Sequence, residues 1–428
     1  TDTILLTNDT GSYADTDFTN ITGVEVVSAN GAANWSADFN GNADAAGFTT
    51  VTSEAGSNTS VTLRSGFDNA LRINLSDGND TVAAASSNAA VTVSTDAANY
   101  TAGDSLTGGG TAGDVIRVTL LGGGTDNASF GNVSGFETVT IVGNGDNDVI
   151  IQMNDTMIAA NGSLTVDATD LSNSNATLTL TSAETTTTAT LTVLGGNGAD
   201  TIIGGLEKSN FSGGAGADVF SFNASHLAST DTISGGDGND TILISANYAA
   251  GVQDSDFLNV TGVETLTVTA NENLTATFGA NADASGIATV TGSGTGSDVI
   301  TVGSGFDNAL RVNLGGGNDR VDASASAAAV TVGVAESNLD ANDTLIGGTG
   351  SGDTIRITAD AGSVVFGSNV SGFETITVVG VGDNDVSITT SDAMTNRAVT
   401  LTIDATLMSN SNADLTFIAG EIGRASCR

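Results

Sequence analysis

The sequence predicts an all-β chain wound as a parallel β-solenoid, and three observations carry that expectation. Residues 195 to 221 hold three nonapeptides in unbroken register. The composition suits strand ladders: no proline in 428 residues, 4% aromatic residues, and apolar content drawn mostly from Val, Ile, Leu and Ala interleaved with Thr. Proline lacks the backbone donor that a ladder needs, so its absence fits a chain whose N–H groups are engaged between coils. A nested repeat then extends over almost everything else. Coils of about 20 residues are expected, with no helical periodicity and a narrow core that favours small branched side chains over rings.

The nonapeptides are Gly195-Gly196-Asn197-Gly198-Ala199-Asp200-Thr201-Ile202-Ile203, then Gly204 to Ser212, then Gly213-Gly214-Ala215-Gly216-Ala217-Asp218-Val219-Phe220-Ser221. They follow the pattern G-G-x-G-x-D-x-U-x, in which the glycine-rich half turns and binds calcium and the remainder forms a short strand with one apolar residue inward. Two such units complete a coil. Asp200 and Asp218, eighteen residues apart, are therefore expected on one edge, one coil apart, with a cation between them. The middle nonapeptide has Ser209 in place of the acid and carries the only lysine, Lys208, so its edge is expected to be calcium-poor. A further copy, Gly235-Gly236-Asp237-Gly238-Asn239-Asp240-Thr241-Ile242-Leu243, keeps the register after a short insertion.

The candidate metal residues of this block are Gly195, Asn197, Asp200, Gly213, Ala215, Asp218, Gly235, Asp237 and Asp240. Asp80 and Asp319 join them, because Gly78-Asn79-Asp80-Thr81-Val82 and Gly317-Asn318-Asp319-Arg320-Val321 copy the string around Asp240. Asp104, Asp114, Asp343 and Asp353 read first as ordinary turn formers. The block resembles the RTX family of exported, calcium-binding bacterial proteins, with direct matches confined to residues 195 to 243. That resemblance implies a right-handed parallel β-roll, export through a type I secretion channel, and folding triggered by calcium outside the cell.

Forty-nine acids against ten bases give a net charge of −39, which excludes nucleic acid as a natural partner. Carboxylates stacked on adjacent coils stand about 5 Å apart and repel by roughly 0.8 kcal/mol in water, or about 3 kcal/mol at an effective dielectric of 20. Without divalent cations the central block is expected to be disordered. Short aspartates on turns suit a hard cation such as Ca2+.

The string Phe67-Asp68-Asn69-Ala70-Leu71-Arg72-Ile73-Asn74-Leu75 recurs as Phe306-Asp307-Asn308-Ala309-Leu310-Arg311-Val312-Asn313-Leu314. The chain thus divides into a solenoid unit at residues 1–190, a calcium-binding roll at 191–243, and a repeat of the first unit at 244–420. Residues 421–428, which hold the only cysteine, Cys427, break the pattern and resemble translated adaptor sequence. A Gly-x-Glu corner appears four times, ending at Glu25, Glu137, Glu264 and Glu374, each before an alternating strand. This corner resembles repeats in RTX-type surface-layer proteins of Gram-negative bacteria. No leader opens the chain and no apolar run is long enough to span a bilayer, so the sequence reads as a piece of a longer protein.

His226 is the only histidine, which leaves no metalloprotease cluster and no choice of triad base. Arg72 and Arg311, like Arg117 and Arg356, occupy duplicated positions beside aspartates and are expected to form inter-coil salt bridges. Trp35 has Leu274 as its counterpart and reads as local packing. The function expected is that of a non-enzymatic, extracellular, calcium-dependent structural protein of the S-layer (surface-layer) kind. The alternatives are a shaft segment of a large RTX adhesin and the β-helix part of a polysaccharide-modifying enzyme. Expected partners are calcium ions, further copies in a lattice, and cell-surface polysaccharide.

Overall fold

The computed structural model describes all residues except 8–10, 31–33, 111–112, 123, 144, 154, 160–161, 183–184, 186–187, 224, 247–250, 270, 360–361, 381–384, 396–399, 409–412, 420–424 and 428. Parallel strands stack as a β-solenoid of about 16 turns, with few helices. Alternation sets which side chains enter the core. Val27 pairs with Val51, Val51 with Ile73, Ile73 with Val93 and Val93 with Ile116, and all five are fully buried. The residues between them, Thr50 and Thr52 for example, face outward.

The chain forms two compact units, Thr1–Val219 with Gly236–Gly238, and Phe220–Gly235 with Asn239–Arg428. In the first, one sheet runs in coil order from Thr3–Leu6 through Val26–Ala29, Thr50–Thr52 and Leu71–Asn74 on to Lys208–Ala215. A second sheet holds Ser12–Tyr13, Trp35–Phe39, Thr59–Leu63, Thr81–Ala83, Ser105–Thr107 and Val133–Ser134. The second unit repeats this plan, with Thr265–Val268, Thr289–Thr291 and Leu310–Asn313 in one sheet and Thr275–Phe278, Val299–Val302 and Arg320–Asp322 in another.

The coils are longer than expected from nonapeptides alone. Val139 pairs with Val166 and Ile376 with Ile403, each twenty-seven residues on. Inside the roll, Val193 pairs with Phe211, eighteen residues on, the length of two nonapeptides. The extra length holds turns and short helices that no periodicity announces. Gly41–Ala46 and Ala280–Ser285 each span six residues, too few to show an apolar stripe. The first is held from the preceding coil: Asp15 Oδ1 accepts the N–H groups of Asn40 at 2.8 Å and Ala43 at 2.9 Å. Asp254 does the same for Gly279 and Ala282.

Four rings gather at the first of these helices. Phe18, Phe39, Phe48 and Phe67 are buried beside Gly41–Ala46, with centroids 5.1 to 5.9 Å apart. The expected preference for small branched side chains over rings fails here, and in the roll as well, where Phe211, Phe220 and Phe222 are buried. The arginine expectation fails as well. Arg72 and Arg311 donate to the side chains of Asn74 and Asn313, at 2.8 and 2.7 Å, and Arg117 donates to Thr119. The ion pairs found among the described residues are Arg64 with Asp38 and Arg320 with Asp322.

Candidate metal centre

Asp200 and Asp218, each 1% exposed, lie on one edge of successive coils. Asp218 Oδ1 accepts the Asp200 N–H at 2.7 Å. Asp200 in turn accepts the Leu178 N–H on Oδ1 at 2.7 Å and the Gly196 N–H on Oδ2 at 2.8 Å. Each acid therefore ties its own coil to the one before. Glycine is required in these turns because neighbouring coils touch through their backbones. A Cβ on Gly195 would strike the carbonyl of Gly213 and the Asp200 carboxylate, and Gly214, at φ +109°, lies against the Gly196 carbonyl. A Cβ on Gly235 would likewise meet Gly262 and the carboxylate of Asp240.

The other block residues bind the backbone too. Asn197 donates Nδ2 to Ser172 O at 2.7 Å, the Ala215 N–H reaches Gly196 O at 3.1 Å, and the carbonyl of Asp237 accepts the Gly216 N–H at 2.8 Å. Asp240 is fully buried, and its N–H donates to Glu264 at 2.8 Å.

The acid ladder extends well beyond the nonapeptides. In the first unit Asp80 accepts the Thr59 N–H at 2.7 Å and Asp104 accepts the Asp80 N–H at 2.8 Å. In the second unit Asp298, Asp319 and Asp343 accept the N–H groups of Leu274, Asp298 and Asp319, each at 2.8 Å. Asp114 and Asp353 do likewise with Val91 and Val330. Most of these acids also use the second oxygen: Asp104 on the Thr101 N–H, Asp114 on Gly109, Asp298 on Ser293, Asp343 on Asp340 and Asp353 on Gly348. Asp80 and Asp319 differ, because among the described residues no hydrogen bond reaches their Oδ2.

Burial raises Asp80, Asp114, Asp200, Asp298, Asp319 and Asp343 above the usual carboxylate range. Asp80 is pushed up to about 7 by desolvation, which outweighs the Thr59 N–H, with Asp104 and Asp77 adding repulsion. Asp319 is pushed to about 7 by desolvation, with Asp298, Asp343 and Asp340 nearby. Desolvation lifts Asp200 to about 6 even against two N–H donors. Asp114, Asp298 and Asp343 are displaced upward for the same first reason.

The Gly-x-Glu corners belong to this system. Glu137 Oε2 accepts the N–H groups of Asp114 at 2.8 Å and Gly113 at 3.0 Å, and Glu374 holds Asp353 and Gly352 at 3.0 and 3.2 Å. Gly23, Gly135, Gly262 and Gly372 all have φ between 61° and 82°, the left-handed turn that lets the glutamate reach back.

Asp298 escaped the sequence reading although Gly296-Ser297-Asp298 keeps the G-x-D spacing of the nonapeptides, because such a string also reads as an ordinary turn. Glu207 escaped because it lies two residues out of register; it is 2% exposed and accepts the Gly205 N–H at 3.0 Å, beside the position where Ser209 replaces the acid. The signal shared by the ladder acids is D-x-U opening an alternating strand. Among the described residues no three His, Cys, Asp or Glu side chains come together at metal-binding distances. The available donors are carboxylates and turn carbonyls, the oxygen set of a hard divalent cation. Asp80 and Asp319 fit one best, since each keeps an oxygen to give. At Asp200 a cation would compete with two amide donors. Among the described residues no helix is long and apolar enough to cross a membrane. No family model, curated protein or solved structure matches the chain.

Proposed function

We propose that this chain is an extracellular, calcium-dependent structural protein of the bacterial cell surface, of the RTX surface-layer kind. The observation that carries the reading is the ladder of buried carboxylates in both units, half-satisfied at Asp80 and Asp319 and built into the roll at Asp200 and Asp218. A stack of desolvated acids without a cation is poorly stabilised, and calcium supplies the missing charge. Low cytosolic calcium then keeps the acidic chain unfolded and fit for type I export. Calcium at millimolar levels outside lets the coils close, so that binding energy becomes folding energy. No catalytic step enters, and self-association into a lattice follows once the coils are rigid.

Calcium titration of the chelator-stripped chain, followed by far-UV circular dichroism, tests the reading. Asp200→Ala combined with Asp218→Ala shifts the folding midpoint to higher calcium. A midpoint that stays where it was would remove those two acids from any metal role.

A further inference from the structure

In the first unit, Asn34, Asn58 and Asn79 stack on successive coils and are exposed. Asn34 Oδ1 accepts the Asn58 N–H at 2.9 Å, and Asn58 Oδ1 accepts the Asn79 N–H at 2.9 Å. With the Asn34 and Asn58 oxygens engaged, the amide nitrogens of these exposed side chains are left as donors. Beside them runs a row of hydroxyls: Ser12 pairs in register with Ser36, Ser36 with Ser60, and Ser60 with Thr81. Both rows border a groove of about 380 Å³, and among the described residues no charged side chain lines it.

Two more residues on its border are buried, Trp35 at 5% and Thr59 at 1% exposure. Neither Trp35 Nε1 nor Thr59 Oγ1 has a hydrogen-bond partner among the described residues. Unmade buried hydrogen bonds are costly, and native chains that keep them have a reason in function or in a bound molecule. The second unit supplies an internal control. It carries Leu274, Ser297, Asp298 and Val299 at the positions of Trp35, Asn58, Thr59 and Ser60. There the Leu274 N–H finds the Asp298 carboxylate at 2.8 Å. At these positions the second unit therefore carries neither the indole N–H nor the buried hydroxyl of the first.

We propose that this groove binds a neutral polysaccharide laid across successive coils, one sugar to each asparagine. The coil spacing of about 4.8 Å is close to the length of one pyranose in an extended chain. The asparagine amides and the Ser36 and Ser60 hydroxyls donate to hydroxyl and ring oxygens, and Trp35, buried at the groove's border, reports the contact through its packing. A net charge of −39 rules against a polyanionic chain. The proposal leans on the surface reading only for where such a polymer is met.

Trp35 is the only tryptophan, so its fluorescence reports on this groove alone. The full chain in millimolar calcium is titrated with the linear β-linked hexasaccharides of glucose, mannose and N-acetylglucosamine, following Trp35 emission and heat. One of them shifts the emission saturably. Asn58→Ser with Ser60→Val, the residues the second unit already accommodates, weakens that binding about tenfold or more and leaves the melting temperature in place. Silence from all three sugars in both readouts overturns the proposal, as does binding that survives the double variant. An ordered water bridging Trp35 and Thr59 in a crystal, together with silent titrations, would also end it. Calcium-dependent folding is read on the same samples by circular dichroism, so failure of the sugar site is distinguishable from failure of the calcium ladder.

Discussion

Asp80 and Asp319 stand at the same position in two copies of one unit, 1% and 2% exposed, and each leaves one carboxylate oxygen without a hydrogen bond from the described residues. Their folded-state pKa values near 7 lie above the roughly 3.9 of a free aspartate. In the metal-free chain, the folded form thus keeps a proton between about pH 4 and 7 that the unfolded form has lost. The stability linked to these groups is complete below about pH 4 and disappears as pH rises through about 7. Metal-free protein is expected to melt several degrees higher at pH 5 than at pH 8. Asp80→Asn with Asp319→Asn removes the charge yet keeps the acceptor for the Thr59 and Asp298 N–H groups. That double variant should melt higher in chelator at pH 8, show a flatter pH profile, and respond less to calcium; an unchanged profile would contradict the assignment. Asp200 and Asp218 were legible in the sequence because the nonapeptide sets the register of the turn. Asp298 and Asp104 were not, because a turn former and a ladder acid differ only in whether an N–H one coil away meets the carboxylate, which local residues do not encode.

The Gly-x-Glu corner was visible as a repeated string, but its role was not. It works because a left-handed glycine swings the glutamate onto the backbone of the preceding coil, so that Glu137 clamps Asp114 and Glu374 clamps Asp353. The four corners are not equally crowded. A Cβ on Gly23, at φ 72°, meets nothing within 4 Å, whereas one on Gly372, at φ 82°, lies 2.9 Å from Gly347 O. Gly23→Ala should cost about 1 kcal/mol, the strain of the turn alone, and Gly372→Ala about 2 kcal/mol or more because the next coil must also move. Denaturant midpoints check this, and equal costs would show that backbone contact between coils does not matter there. The short helices and their phenylalanines stayed hidden for a related reason. Six residues capped from another coil by Asp15 carry no periodicity of their own.

At the scale of the chain, the duplication was plain in Phe67–Leu75 and Phe306–Leu314, and it extends to the helices, the corners and the acid ladder. Parallel stacking was legible from the nested repeats, the absence of proline and the nonapeptide block at the centre, since alternation of Val, Ile and Thr alone suits a β-sandwich equally. Coil length did not follow, because insertions between strands are turns whose size nothing local fixes. The account's central claim is that buried carboxylates in both units need a divalent cation once they are ionised. Thermal melts by far-UV circular dichroism, in millimolar calcium and in chelator, at pH 8 and again at pH 5, test that claim most directly. Chelation should lower the midpoint at pH 8 by about 10 °C and by much less at pH 5, where protons already occupy Asp80, Asp319 and Asp200. Superimposable melts with and without calcium at pH 8 would contradict it.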